Sequence, residues 1–280
     1  IQTFTTGIYK AWLSMDNRLA AAQLATFLLA LVVLLLQLEL RAQRRMRFAT
    51  GGVGRAGSSE AQPTRLHGAY AVLAWLVCAL PVLMGFALPV LFMLRPLLAD
   101  WSLLPWDRFV QWAGNSVRLG AITAVLAVGI ALALAFAVRR RRGPLMRAVV
   151  QLVSLGYAVP GAVIVVGLLL PVGWLQAAAP TWGLSALVTT TAVGIVWAYL
   201  VRFCAVALQS VQSGYARVPA SLDDSARMLG VGGLGLLTRV HWPLLKRSTA
   251  AAALLVFVDV MKELPATIVL RPFDSDTLAV

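Results

Sequence analysis

Six long apolar stretches, separated by polar segments, dominate the sequence. They cover about residues 19–40, 68–94, 117–138, 148–172, 184–208 and 248–270. A bilayer core is about 30 Å thick, so a spanning helix needs roughly 20 mostly apolar residues. Backbone polar groups in lipid must be paired within the structure, and the alternating pattern of membrane-spanning strands does not occur in the sequence. The pattern therefore predicts an all-α, polytopic bundle of transmembrane helices.

Basic residues concentrate in three of the segments between these stretches. Six arginines lie between the first and second stretches, four arginines at 139–142 follow the third, and five basic residues lie between the fifth and sixth. Cytoplasmic loops of membrane proteins carry an excess of Lys and Arg, so these three segments are predicted to be cytoplasmic. The opposite segments are poorer in basic residues and contain several tryptophans, which are typical of membrane interfaces.

The composition narrows the class of protein further. The chain has 280 residues with a net charge of +13; 60% are hydrophobic and 12% charged, against about 45–50% and about 25% in soluble domains. These values exclude a soluble globular enzyme and a disordered chain. Cys78 and Cys204 both lie within apolar stretches, which excludes a disulfide framework and a CxxC metal site. Because the basic residues flank the spans, nucleic acid is not expected as a partner.

The polar segment after the fifth stretch predicts two short helices outside the membrane. The first is expected to begin at an N-cap, Ser221, to carry Asp223 and Asp224 in its first turn, and to end at Gly230. Its apolar face repeats at spacings of four and three residues, at Leu222, Ala226 and Leu229. The second helix, about residues 234–241, is expected to stop before Pro243. An ordinary amphipathic hairpin is the alternative interpretation.

This hairpin resembles the EAA loop of ABC importer permeases, which reads E-A-A-x-x-x-G, nine further residues, and I-x-L-P. The matching positions are Asp224, Ser225, Ala226, Gly230, Val240 and Pro243, and Trp242 stands where the pattern has Leu. Asp224, Ser225 and Val240 are departures in residue type. The resemblance implies a bundle of the ABC importer permease (MetI-like) type, whose coupling helix sits in a cleft of a cytoplasmic ATPase. In that role Asp224 starts the helix, Ala226 allows close approach to the partner, and Gly230 allows the turn.

Two more stretches resemble iron(III) permeases of the fused, two-half type. They are residues 259–267, with Leu270-Arg271-Pro272-Phe273 after them, and residues 4–12. The resemblance implies that residues 1–40 are the end of a first membrane half, with a periplasmic loop and its last helix. It also implies that 68–280 are most of a second half, about five transmembrane helices without the last one. The Arg-, Gly- and Ser-rich residues 41–67 suit a flexible cytoplasmic linker. The chain is accordingly expected to be a fragment of a longer membrane protein.

Polar residues inside the apolar stretches are candidates for a translocation pathway. Asp259, Lys262 and Glu263 lie in the sixth stretch, where ionisable groups are costly and usually face the bundle interior in pairs. Tyr157 and Pro160 lie in the fourth stretch, where a kink is expected. A structural ion pair and ordinary helix packing are the alternatives. Carboxylates are hard ligands that suit a ferric ion, but the sequence assigns no metal site.

The motifs that are missing also bear on function. No G-x-x-x-x-G-K-[ST] phosphate loop occurs, so this chain is expected to bind no cofactor and to leave ATP and Mg²⁺ to a partner subunit. It is interpreted as a non-enzymatic permease subunit in the bacterial inner membrane, importing iron(III). The expected partners are a cytoplasmic ABC ATPase dimer, a periplasmic solute-binding protein and the lipid bilayer. The alternatives are another cargo (thiamine, sulfate, polyamine or phosphonate), an ATP-independent secondary transporter or channel, and a structural membrane protein.

Overall fold

The computed structural model describes residues 4–15, 18–50, 66–99, 101, 105–140, 143–272 and 276–279. Every regular element in these ranges is helical, which confirms the all-α prediction. The α-helices are α1 (Phe4–Tyr9), α2 (Arg18–Thr50), α3 (Ala69–Val82), α4 (Leu88–Ala99), α5 (Trp106–Arg140), α6 (Pro144–Leu155), α7 (Gly161–Ala178), α8 (Leu184–Thr190), α9 (Ala192–Tyr215), α10 (Ala220–Met228), α11 (Trp242–Met261) and α12 (Pro265–Leu270). π-Helical turns cover Lys10–Ser14, Leu83–Ala87 and Leu236–His241.

Four helices in the described ranges are long and apolar enough to cross a membrane. They are Ala69–Ala99, in which α3 and α4 are continuous through a π-helical turn, and helices α5, α7 and α9. A shorter apolar segment, Leu19–Leu35, lies within α2. These helices confirm the predicted polytopic architecture.

Three of the six predicted spans are pairs of helices rather than single ones. In the fourth, α6 ends at Leu155, and the chain is extended at Pro160 before α7 begins. In the fifth, Thr191 is extended and its side chain accepts a hydrogen bond from the Val193 amide at the start of α9. In the sixth, α11 ends at Met261 instead of continuing past Pro265, which lies in the first turn of α12. Pro160 and Pro265 each lie at the start of the helix that follows a break, where the missing proline N–H leaves no helical hydrogen bond unmade.

The chain divides into two compact units, Ile1–Glu39 with Phe109–Val280, and Leu40–Arg108. In the first unit α9 is the central helix and packs most extensively on α11. Its buried residues include Ala198, Phe203 and Leu208, and alanines of α5 such as Ala127 and Ala131 belong to the same cluster. Small residues let membrane helices approach closely, which is consistent with this packing.

The first unit also contains the start of the chain. Ile8, Ala11 and Ala25 are buried in one cluster with Val163 and Val166 of α7. The segment interpreted as the end of a first membrane half therefore packs directly on the part interpreted as the second half.

The second unit contains the α3–α4 helix and the end of α2. No residue of Ala69–Ala99 is buried, which suits apolar side chains that contact lipid. Helix α2 continues to Thr50, so the first ten residues of the predicted 41–67 linker are helical. Residues 51–65 of that linker lie outside the described residues.

Candidate functional site

The α10 segment, residues 216–241 between α9 and α11, contains the predicted hairpin. Helix α10 ends as expected: Gly230 has φ +79°, a left-handed conformation that glycine adopts without steric cost. The Gly230 amide donates to the Arg227 carbonyl and the Val231 amide to the Ala226 carbonyl, both at 2.9 Å. These two bonds form a Schellman motif. The predicted N-cap is wrong, because Pro219 takes that position with an extended backbone and α10 begins at Ala220, before Ser221.

The second predicted helix does not stop before Pro243. The π-helical turn Leu236–His241 runs directly into α11, and Pro243 occupies the first turn of that helix. Val240 is half-buried in the π-helical turn, and Pro243 is exposed.

Helix α10 has an inner and an outer face. On the inner face Ala226 is buried against Phe136 of α5 and Leu236. Ala226 therefore faces its own chain, which differs from its predicted close approach to a partner. The predicted apolar face is also incomplete, since Leu229 is 83% exposed.

The outer face of α10 is open and polar. Asp224 is exposed and accepts a hydrogen bond from Arg227 at 2.8 Å, within the same helix. Ser225 is also exposed, and its hydroxyl donates to the Ser221 carbonyl at 3.0 Å. Of the predicted coupling residues in α10, Asp224 and Ser225 thus lie on the surface, and Ala226 does not.

Asp223, one residue before Asp224, is buried and lies at the centre of a polar cluster. The Arg139 guanidinium of α5 donates to both of its carboxylate oxygens, Nε to Oδ2 at 2.7 Å and Nη2 to Oδ1 at 2.9 Å. Arg139 also donates to the carbonyls of Val218 and Pro219, each at 3.0 Å, at the residues that lead into α10. This bidentate arrangement is the strongest geometry available to an Arg–carboxylate pair.

His241 and Tyr215 complete the Asp223 cluster, defined as Arg139, Tyr215, Asp223 and His241. His241 is 0% exposed; its Nε2 lies 3.1 Å from Asp223 Oδ1, and its Nδ1 lies 3.1 Å from the Tyr215 hydroxyl. An ionised carboxylate only accepts hydrogen bonds, so Nε2 carries a proton, and in the neutral ring Nδ1 accepts from Tyr215. The hydrogen bonds from Arg139, with a smaller contribution from His241, hold the pKa of Asp223 below its ordinary value against the opposing effect of burial.

The second site, the helix-break site, consists of Gly161, Arg202 and Glu263. Arg202 of α9 donates from Nη1 to Glu263 Oε1 at 3.1 Å, and Glu263 lies in the break between α11 and α12. Gly161 begins α7 directly after the break at Pro160. A Cβ on Gly161 would lie 2.7 Å from Glu263 Oε1 and 2.8 Å from Arg202 Nη1. Two broken helices therefore meet at one ion pair, and the absence of a side chain on Gly161 leaves room for both charged groups.

A hydrogen-bonded chain supports the helix-break site. The Thr267 hydroxyl of α12 donates to the Glu263 carbonyl, and the Tyr199 hydroxyl of α9 lies 2.6 Å from the Thr267 oxygen. Thr267 uses its proton on Glu263, so Tyr199 is the donor in the second bond. These contacts hold the backbone of Glu263 to α12 and α9.

The remaining predicted pathway residues border this site. Lys262 and Asp259 form the predicted pair at 2.8 Å, with Lys262 at 69% exposure. Tyr157 is exposed, with its ring centroid 6.5 Å from that of Phe203. Within the part of the chain that the structure describes, no three His, Cys, Asp or Glu side chains are grouped so that they could hold a metal ion.

Sequence reasoning missed the roles of Arg202 and of Asp223. The helical spacing contains a signal for the second, because Asp223 lies three residues before Ala226 and hence on the inner face. Phe273, part of the predicted similarity to iron(III) permeases, lies outside the described residues.

Comparison with known proteins adds to this geometry. The chain is 25% identical over 285 residues to the Fe(3+)-transport system permease protein FbpB 2 of Haemophilus influenzae. The alignment covers 100% of this chain and 54% of that protein. It is 31% identical over 150 residues to ORF1 of Streptomyces antibioticus, named as an ABC transporter permease protein, covering 53% of this chain and 60% of that protein. The chain resembles ABC transporter permeases. The resemblance predicted from the sequence is thereby confirmed.

Both matches cover only part of the relatives' own length. The chain spans little more than half the length of each of these two relatives. No family model matches it. Together with four apolar helices of spanning length, the two permeases indicate a multi-pass membrane protein.

Proposed function

We propose that this chain forms part of the membrane-spanning permease of an ATP-driven, binding-protein-dependent importer. It would lie in the bacterial inner membrane, receive cargo from a periplasmic solute-binding protein, and dock on a cytoplasmic ABC ATPase dimer that binds ATP and Mg²⁺. Transport would proceed by alternating access of the two membrane halves. Iron(III) is the proposed cargo, because the Haemophilus influenzae relative that matches the whole chain is named as an Fe(3+) transport permease.

The observation that carries the docking role is the form of the α10 segment. Helix α10 begins only five residues after α9 ends, closes at Gly230, and is anchored on its inner face by Ala226 and Asp223. On its outer face Asp224 and Ser225 are exposed, and their side chains form hydrogen bonds within α10 itself, to Arg227 and Ser221. A short helix held by one face and open on the other is suited to insertion into a partner.

The helix-break site supports the transport role. Discontinuous membrane helices commonly form the substrate pathway of transporters, and polar groups buried there are usually functional. Here two breaks meet at Glu263 and Arg202, with Asp259 and Lys262 beside them. We propose that cargo passes along this site, with Tyr157 and Pro160 at its border.

The docking role can be tested by purification of the full-length protein with its ATPase. Asp224→Lys reverses an exposed charge on the outer face of α10, and Asp107→Lys makes the same change on an exposed residue in the first turn of α5. We expect Asp224→Lys to lower the amount of copurifying ATPase and Asp107→Lys to leave it unchanged. Equal retention of the ATPase by both variants would contradict the docking role.

The cargo requires a separate experiment. Proteoliposomes containing the full-length permease, its ATPase and the binding protein should take up radiolabelled iron(III) only when ATP reaches the ATPase. Parallel assays with thiamine, sulfate, a polyamine and a phosphonate test the other cargoes. Uptake at the full rate without the ATPase would instead identify a secondary transporter.

A further inference from the structure

The Asp223 cluster joins α10 to three other helices at once. Arg139 lies in the last turn of α5, Tyr215 is the last residue of α9, and His241 directly precedes α11. Asp223 lies in the first turn of α10 and bonds to Arg139 and His241. The four helix ends therefore share a single hydrogen-bonded group.

Apolar packing alone offers α10 little restraint. A helix of nine residues is not stable by itself in water, and its apolar packing consists of the small Ala226 in one buried cluster and the half-buried Leu222 at the edge of another. Glycines at 230, 232, 233 and 235 follow it. A cavity of about 630 Å³ also opens beside Arg139 and Tyr215, between α5, α6 and α9. The directional bonds of Asp223 therefore add a restraint on the position of α10 that these two apolar contacts do not supply.

We propose that Asp223 and Arg139 are positioning residues that transmit movement of α10 to α5 and α11. The inference rests on the docking role proposed above, and it assigns the transmission to residues outside the EAA-like positions. Displacement of α10 by a partner would act on α5 through the bidentate guanidinium and on α11 through His241. Both contacts are made by the buried Asp223, whereas Asp224 is exposed. Docking and transmission thus use neighbouring residues, one on the surface and one buried.

The position of α10 can be measured in the full-length permease without any ATPase. Spin labels are placed on the exposed residues Met228 of α10 and Ala133 of α5, in a background with Cys78→Ser and Cys204→Ala. Pulsed electron paramagnetic resonance then gives the distribution of distances between them. We expect a narrow distribution in the parent protein.

The variants separate the cluster from the outer face. Asp223→Asn removes the carboxylate charge, and Arg139→Lys keeps a positive charge but cannot form two parallel N–H bonds. Both should broaden the distance distribution. Asp224→Asn, one residue away on the outer face, should leave it as narrow as in the parent. If Asp223→Asn does not fold, the distance distribution of Arg139→Lys tests the proposal by itself. A distribution as narrow as in the parent, in whichever of the two variants folds, would overturn the proposal.

The functional readout is the number of ATP molecules hydrolysed per cargo molecule transported. In assembled complexes Asp223→Asn should raise this number about fivefold, within the range by which residues in a coupling network act, while the ATPase still copurifies in parent amounts. An unchanged ratio in such complexes would contradict the transmission role. If the ATPase does not copurify with the parent protein, the docking role fails, and the distance measurement still decides whether the Asp223 cluster positions α10.

Discussion

The ion pair at the helix-break site allows the most direct test of how this chain stabilises charge inside its helical bundle. Arg202→Met removes the guanidinium and leaves the Glu263 carboxylate without its charged partner. The Ala266 amide, at 3.4 Å from Glu263 Oε1, is then the closest remaining donor given by the structure. Met retains most of the length of the Arg side chain, so the change removes the charge and little of the packing.

The magnitude follows from burial. The side chains of Arg202 and Glu263 are 23% and 7% exposed. Removal of one partner from a buried pair typically costs about 3–5 kcal/mol, and the partial exposure of Arg202 favours the lower end, about 3 kcal/mol. Replacement of both charges is far less costly, because no unpaired charge remains. The double variant Arg202→Met with Glu263→Gln should therefore recover about 2 kcal/mol of the loss.

The measurement is reversible unfolding of the full-length protein in mixed micelles with increasing SDS, applied to the parent, both single variants and the double variant. Lys262→Met is the matched control, since Lys262 also pairs with a carboxylate but is 69% exposed. It should leave the unfolding midpoint unchanged. Equal effects of Arg202→Met and Lys262→Met, or a double variant less stable than either single one, would refute the reasoning.

Three further predictions concern backbone conformation, pH and close packing. Gly230→Val forces a β-branched residue to φ +79°, at a cost of about 1–2 kcal/mol, and this variant should insert into the membrane normally but show no uptake. The control is Gly232→Val, which should transport normally because Gly232 has an ordinary φ and open space around it. Because the pKa of Asp223 is lowered, its ionised contacts are intact above the ordinary carboxyl range and are lost as pH falls through the lowered value. The α10–α5 distance distribution should thus broaden only below about pH 4, and a broadening that begins above this range would be evidence against the ionised pair. A Cβ on Gly156 would overlap a backbone carbonyl of α9, so Gly156→Ala should destabilise the protein by about 1–3 kcal/mol in SDS unfolding, unlike Gly167→Ala, which meets open space.

The features that depend on local sequence could be predicted. Helix α5 follows from a long apolar stretch, and Gly230 ends α10 because glycine alone adopts a left-handed backbone there without cost. The Asp259–Lys262 contact follows from helical spacing. Each of these depends on residues close to one another in the chain.

The features that depend on residues far apart in the chain could not be predicted from the sequence. Arg139 and Asp223 are 84 positions apart, and Arg139 is one of four successive arginines whose individual partners the sequence does not distinguish. Arg202 and Glu263 are likewise separated by 61 positions. The breaks near Pro160 and Pro265 required knowledge of where the neighbouring helices lie, since a proline within an apolar stretch is compatible with either a kink or an end.

Helix α9 is continuous and contributes one residue to the helix-break site and one to the Asp223 cluster. Arg202 and Tyr215 are thirteen residues apart, which corresponds to an axial separation of about 20 Å. The phase of the helix between them is fixed, so one inserted alanine anywhere in residues 203–214 would rotate the two sites against each other by about 100°. The length of this segment, and not only its composition, is therefore under structural constraint.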